Sequence, residues 1–142
     1  MTLPINERLG QYVIVDQTGS GGMATVYKAY HERLDRYVAI KLMHQNFLQD
    51  PQFLARFERE ARIVASLEHA NIVQVYDFDE YQGQPYLVMK YVEGQTLKDL
   101  LGEGALPLEE IMRIMPRIAD ALDYAHRKGV LHRDVKPSNI LI

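Results

Sequence analysis

The hydrophobic pattern changes its period partway along this chain, and that change constrains the fold more than any other feature. Up to about residue 92, apolar and β-branched residues come in short runs bounded by turn residues, which is how strands read. Gly10 to Val15 and Thr25 to Tyr30 flank a glycine cluster at 19–22, and Tyr37 to Met43 (YVAIKLM) forms a third run. Ile72 to Phe78 and Tyr86 to Val92 add two more, with Gln82-Gly83-Gln84 as the turn between them. One helix interrupts this series. Asp50 is its predicted N-cap and Pro51 its first helical residue, while Phe53, Phe57, Ala61, Val64 and Leu67 form one stripe over about four turns. Beyond Gly94 the spacing turns helical. A short stretch, Thr96 to Leu101, leads to a break at Gly102–Gly104, and a long helix then runs from Leu108 to His126. Ile111, Met115, Ile118, Leu122 and Ala125 fall on one face of it, Pro116 lies inside it, and Gly129 is its predicted C′ stop. Strands first and helices after predict an α+β fold, with the two halves meeting near Val92–Gly94.

Composition narrows the function classes. A length of 142 residues suits one domain, and 47% apolar with 25% charged residues suits one with a core. Sixteen basic against nineteen acidic residues give a net charge of −3, which argues against a polybasic nucleic-acid binder. Cysteine is absent, so disulfide scaffolds, thiolate metal sites and cysteine nucleophiles are excluded. Glu7 and Arg8 sit where a secretory leader needs its apolar stretch, and no apolar run is long enough for a membrane span. There is no internal repeat and no low-complexity segment.

Three motifs carry chemistry. In Gly19-Ser20-Gly21-Gly22-Met23-Ala24-Thr25-Val26, glycines between two strands let backbone amides approach phosphate oxygens, although taken alone a glycine-rich hairpin turn is the commoner explanation. A dinucleotide-binding reading fails because a strand, TVYKAY, follows the glycines where a helix should. The second motif is Val38-Ala39-Ile40-Lys41. A lysine inside a strand either faces solvent or needs an anionic partner, and Glu60, at the edge of the helix stripe, is the candidate. Arg56 and Arg62 could instead hold Glu60 in a surface cluster. The third motif, His132-Arg133-Asp134-Val135-Lys136-Pro137-Ser138-Asn139, packs proton-accepting, phosphate-neutralising and cation-binding groups into one stiffened loop.

In this order and on these elements, the three motifs resemble those of the eukaryotic-like (Hanks-type) protein kinases. HRDVKPSN carries the lysine two residues after the aspartate that marks serine/threonine kinases, and GSGGMATVYKA, RFEREA and LVMKYVEGQTL look most like bacterial members. The resemblance covers Gly10 to Ile142. It implies a protein-kinase-like fold: a five-stranded antiparallel N-lobe with one key helix and a hinge over 1–92, and the start of a helical C-lobe through the catalytic loop over 93–142. It also implies a transferase that moves the γ-phosphoryl of Mg-ATP to protein Ser or Thr hydroxyls. Gly19, Ser20, Gly21 and Gly22 would cover the phosphates. Lys41 would hold the α- and β-phosphates and pair with Glu60 of a helix that must swing in for activity. Val26 and Ala39 above, and Leu141 below, would sandwich the purine, with Met89 as gatekeeper and Lys90 to Val92 reading adenine through the backbone. Asp134 would be the catalytic base, Lys136 would contact the transferred phosphoryl group, and Asn139 would bind magnesium. His132 looks structural, in a hydrophobic spine with Val64 and Val75.

The chain departs from the family pattern in three places. Ala24 replaces a third glycine, Lys90 stands where an acidic residue is frequent, and the Asp-Phe-Gly segment expected soon after residue 142 is not in the sequence. The resulting expectations are a fragment inactive alone, an exposed apolar patch around Ile111, Ile118 and Leu122, and a cytoplasmic kinase with ATP and a protein substrate as partners. The alternative is a catalytically dead kinase-like module that binds nucleotide or a partner.

Overall fold

The strand-rich part of the chain builds an antiparallel sheet, with buried and open side chains alternating most cleanly along Ala24–His31, seen here in a computed structural model that describes residues 3–20, 24–45, 49–130 and 139–142. The strands are β1 (Arg8–Leu9), β2 (Tyr12–Ser20), β3 (Ala24–His31), β4 (Arg36–Met43), β5 (Val75–Tyr81) and β6 (Gln84–Lys90). The helices are α1 (Pro51–Ala65), α2 (Leu97–Leu101) and α3 (Leu108–Arg127). All five expected strands are present, with ends shifted by a few residues. β1 is an addition, since a strand of two residues has no period to read. The sheet order is β1-β2-β3-β4-β6-β5.

Two compact units divide the chain, one comprising Met1–Ser66 and Gln74–Tyr91, the other Leu67–Val73 and Val92–Ile142. In the first, one sheet face closes over Leu9, Ile14, Tyr27, Ala29, Val38, Ile40, Leu42, Tyr86 and Val88. Burying each large apolar side chain contributes roughly 1.5–3 kcal/mol, so this face dominates the unit's stability. Leu3 joins it because its amide donates to the Tyr27 hydroxyl at 3.0 Å. Burial, reinforced by Asp79 and Asp77, pushes the Tyr86 hydroxyl up to about 12. The β5–β6 hairpin turns on Gln82 and Gly83, both with positive φ (50° and 81°), the two-residue geometry that matches strand twist.

Helix α1 begins as the sequence predicts. Asp50 Oδ1 accepts from the Gln52 amide at 2.9 Å, and Pro51 opens the helix. Ala61 is buried, and Phe57 packs against Phe78 of β5 with ring centroids 5.9 Å apart. An exposed Arg62–Glu58 pair at 3.2 Å lies on the helix surface.

In the second unit, Thr96 and Asp99 form a reciprocal capping box at the start of α2. Residues 67–73 lie on α3: the Glu68 amide donates to the Tyr124 hydroxyl at 3.0 Å, and His69 Nε2 meets Asp120 Oδ2 at 2.9 Å. Helix α3 runs through Pro116 without ending. It stops at Gly129 (φ 86°), where the Val130 amide donates to Ala125 O and the Gly129 amide to His126 O, the paired bonds of a Schellman motif. Its inner face differs from the expected one. The buried residues are Ile114, Ala121 and Ala125, with Ile118 and Leu122 half-buried, whereas Ile111 and Met115 are exposed. Both rows repeat every three to four residues, so the period is right and the phase is off by about one step, which packing rather than sequence decides. An exposed apolar row does exist, made of Leu108, Ile111, Met112 and Met115.

Candidate functional site

The sheet's second face holds four of the predicted nucleotide residues of the first unit, Val26, Ala39, Lys41 and Met89. In the β3–β4 ladder Val26 lies opposite Lys41 and Lys28 opposite Ala39. The β4–β6 ladder sets Ala39 opposite Met89 and Lys41 opposite Leu87. Tyr27, Ile40 and Val88 point into the core, so their neighbours Val26, Ala39, Lys41 and Met89 all share the opposite face. Val26, Ala39 and Met89 are half-buried and Lys41 is exposed. Aliphatic side chains and a primary ammonium on one sheet face suit the chemistry of ATP, a flat base joined to an anionic triphosphate. Val75, a predicted spine residue, is buried and pairs in register with Met89, and Val64 on α1 is half-buried.

At the glycine-rich turn the structure describes Gly19 and Ser20, which pair with Val26 and Thr25. A Cβ built on Gly19 meets nothing within 4 Å. Gly21 and Gly22 lie outside the described residues. The buried Thr25 hydroxyl meets His44 Nε2 at 2.9 Å, tying the start of β3 to the end of β4.

Lys41 and Glu60 are not brought together. Both are exposed, and no ion pair joins them. Lys41 therefore takes the solvent-facing disposition that the sequence left open, and the expected pairing is absent from this arrangement. Glu60 is not held by Arg56 or Arg62 either, because Arg62 turns to Glu58.

Strand β6 ends at Lys90, whose amide donates to Gln74 O at 2.9 Å. Tyr91 closes the first unit and Val92 opens the second. Within the second unit the segment after the catalytic motif is pinned by main-chain bonds: Leu97 N to Ile140 O at 2.7 Å, and Ile142 N to Gln95 O at 2.9 Å. A bridge between Thr96 and Leu141 lies between them. Gly94, at φ 129°, is required here, because a Cβ would collide with the carbonyl oxygen of Ile142. Leu141 and Asn139 are exposed. Asp134, Lys136 and His132 lie outside the described residues. Among the described residues no group of three His, Asp or Glu side chains converges on a metal position, so Asn139 is the one predicted magnesium ligand with a described location.

Sequence reasoning missed two features. Gly94 carries a signal, since a glycine just past a strand run marks a close approach of backbone. The cation–aromatic contact of Lys28 with Tyr37 and Tyr91 carries none, because it depends on the register of three strands.

Comparison with known proteins places this geometry. The protein kinase domain family matches residues 12–142. The chain is 48% identical over 137 residues to the probable serine/threonine-protein kinase pknA2 of Bifidobacterium longum, covering 94% of this chain and 18% of that protein. It is 46% identical over 134 residues to the serine/threonine-protein kinase PrkC of Bacillus subtilis, covering 94% and 21%. The crystal structure of the Mycobacterium tuberculosis PknI kinase domain matches with a TM-score of 0.87 at 34% identity, over 99% of this chain and 58% of that one. The chain thus spans about a fifth of the length of the curated relatives it matches. No helix among the described residues is long and apolar enough to cross a membrane. Motifs, sheet register and family match agree, and the chain belongs to the protein kinase domain family.

Proposed function

We propose that the protein carrying this chain is a serine/threonine kinase that transfers the γ-phosphoryl group of ATP to a protein hydroxyl. The observation that supports this best is the ladder-set face in which Val26, Ala39 and Met89 line up with Lys41. Half-buried aliphatic groups suit a purine, and the Lys41 ammonium neutralises the α- and β-phosphates. By the family pattern Lys90 and Val92 would read the base through main-chain groups, and Leu141 would be a further purine contact. In transfer, the bond from the γ-phosphorus to its bridging oxygen breaks and a bond to the Ser or Thr oxygen forms. The hydroxyl proton goes to the Asp134 carboxylate, while Lys136 offsets charge on the moving group. Magnesium, which Asn139 would help hold, supplies further charge neutralisation at the phosphates.

The separation of Lys41 from Glu60 favours a second reading, a chain that binds nucleotide without turning it over. One assay separates the two. Transfer of labelled phosphate from ATP to a generic protein substrate by the complete protein, abolished by Asp134→Asn, supports the kinase. Transfer that survives Asp134→Asn in full refutes the assigned base, and ATP binding without transfer selects the second reading. The 142-residue chain on its own is expected to bind ATP and transfer nothing.

A further inference from the structure

The second sheet face carries a cation, Lys28, that nucleotide binding does not use. Lys28 lies on β3 directly opposite Asp16 of β2, yet the Asp16 carboxylate accepts from the neighbouring Gln17 amide, and no carboxylate among the described residues lies within 4 Å of the Lys28 ammonium. The cation goes to two rings instead. Lys28 Nζ sits 4.4 Å from the Tyr37 ring centroid and 4.7 Å from that of Tyr91, within the range of cation–π attraction on both sides. Lys28 and Tyr91 are half-buried. None of the three residues belongs to the sheet core, so their contact is not a packing requirement of that core.

Its position gives it a different consequence. Tyr91 follows the last residue of β6 and stands between Lys90 and Val92, whose main-chain groups are assigned above to the adenine base. The Lys90 amide is fixed by Gln74 O at 2.9 Å, and the next anchor along the chain is the Tyr91 ring on Lys28. We propose that the Tyr37–Lys28–Tyr91 clamp is a positioning device that sets the backbone at Lys90–Val92, and that Lys28 thereby governs affinity for the adenine base without touching the nucleotide. An aromatic side chain with two rotatable bonds, held at its ring, restrains the main chain from which it projects. This inference rests on the kinase reading.

The test uses the complete protein with ATP, ADP and inorganic tripolyphosphate as probes. Lys28→Met is expected to raise KM for ATP and Kd for ADP about five- to thirtyfold, the factor that two cation–π contacts convert to. It should leave kcat at saturating ATP and the affinity for tripolyphosphate within about twofold, because the phosphate-binding groups do not move. Lys28→Arg keeps a cation between the rings and should restore most of the loss. Tyr91→Leu should weaken ADP binding alike, and the Lys28→Met/Tyr91→Leu double variant should be little worse than either single one. Unchanged ADP affinity in Lys28→Met overturns the proposal. So does an equal loss for ADP and tripolyphosphate with a lowered Tm, which would make Lys28 merely structural. A wild-type protein that binds no ATP would instead overturn the kinase reading itself.

Discussion

Strand β4 and helix α1 carry the two members of one expected ion pair and are held in very different ways. β4 is hydrogen-bonded along both edges, to β3 from Arg36 to Met43 and to β6 from Val38 to Leu42. With Val38, Ile40 and Leu42 locked in the core, Lys41 has no choice of face. Among the described contacts, helix α1 has Ala61 buried, a ring contact from Phe57 to Phe78 of β5, a hydrogen bond from the Gln74 side chain to Ala65 O, and a cap at Asp50. Among the described contacts of α1 none involves Glu60, which is exposed. The contrast is between a half set by ladders and a half, the helix, whose carboxylate would meet Lys41, on the reading proposed above, only if the helix moved.

Removing the fixed half should have the largest effect. Lys41→Ala in the complete protein is expected to lower phosphoryl transfer about a thousandfold, roughly 4 kcal/mol of transition-state stabilisation. Glu60→Gln should cost less, about ten- to a hundredfold, because it removes an interaction made in only part of the ensemble. Equal losses in a radiolabel transfer assay would break the distinction. Next comes stability of the strand scaffold. Ile40 is fully buried, so Ile40→Ala should destabilise by about 2–5 kcal/mol, whereas Met112→Ala, on the exposed row of α3 at 66% exposure, should stay within about 0.5 kcal/mol. Urea melts of both variants check this.

Alkaline pH probes the same scaffold without mutation. Tyr86 is raised to about 12 chiefly by burial, so the folded state keeps this proton while the unfolded chain, near pH 10, releases it. Its contribution is fully present below pH 10 and is lost as pH rises towards 12, by about 2–3 kcal/mol at most. Tyr86→Phe should remove that share of the slope in denaturant melts at pH 9 to 12. A smaller loss belongs to the adjustable half. Asp50→Ala removes the cap bond to Gln52 and should cost about 1 kcal/mol, seen as a small drop in Tm.

Local chemistry made much of this legible in the sequence. Asp50-Pro51 starts α1, Gly129 ends α3 and Gln82-Gly83 turns the hairpin, each because one backbone geometry needs that residue type. The grouping of Val26, Ala39, Lys41 and Met89 was legible only through the resemblance to the kinase family, and the ladders put the four on one face. What the sequence did not reveal is set by distant partners. β1 is too short to show a period. The inner face of α3 lies on Ile114 and Ala121 rather than Ile111 and Met115, because two adjacent apolar rows have the same spacing. Glu60 stays apart from Lys41, since a helix stripe says which side is apolar but not how far the helix slides along its sheet. Lys28, which none of the sequence motifs singles out, finds its rings only through the register of β3 and β4 and the end of β6.

The central claim is that the ladder-set face ending in Lys41 holds the phosphates of ATP. Acylation of the complete protein by an acyl-phosphate derivative of ATP, followed by mass spectrometry, tests it directly, since such a reagent modifies an amine lying against the phosphates. The account predicts labelling at Lys41, blocked by excess ATP, with Lys28 on the same sheet face left unmodified. Labelling of Lys41 that ATP does not block, or ATP-sensitive labelling at Lys28 in its place, would contradict it.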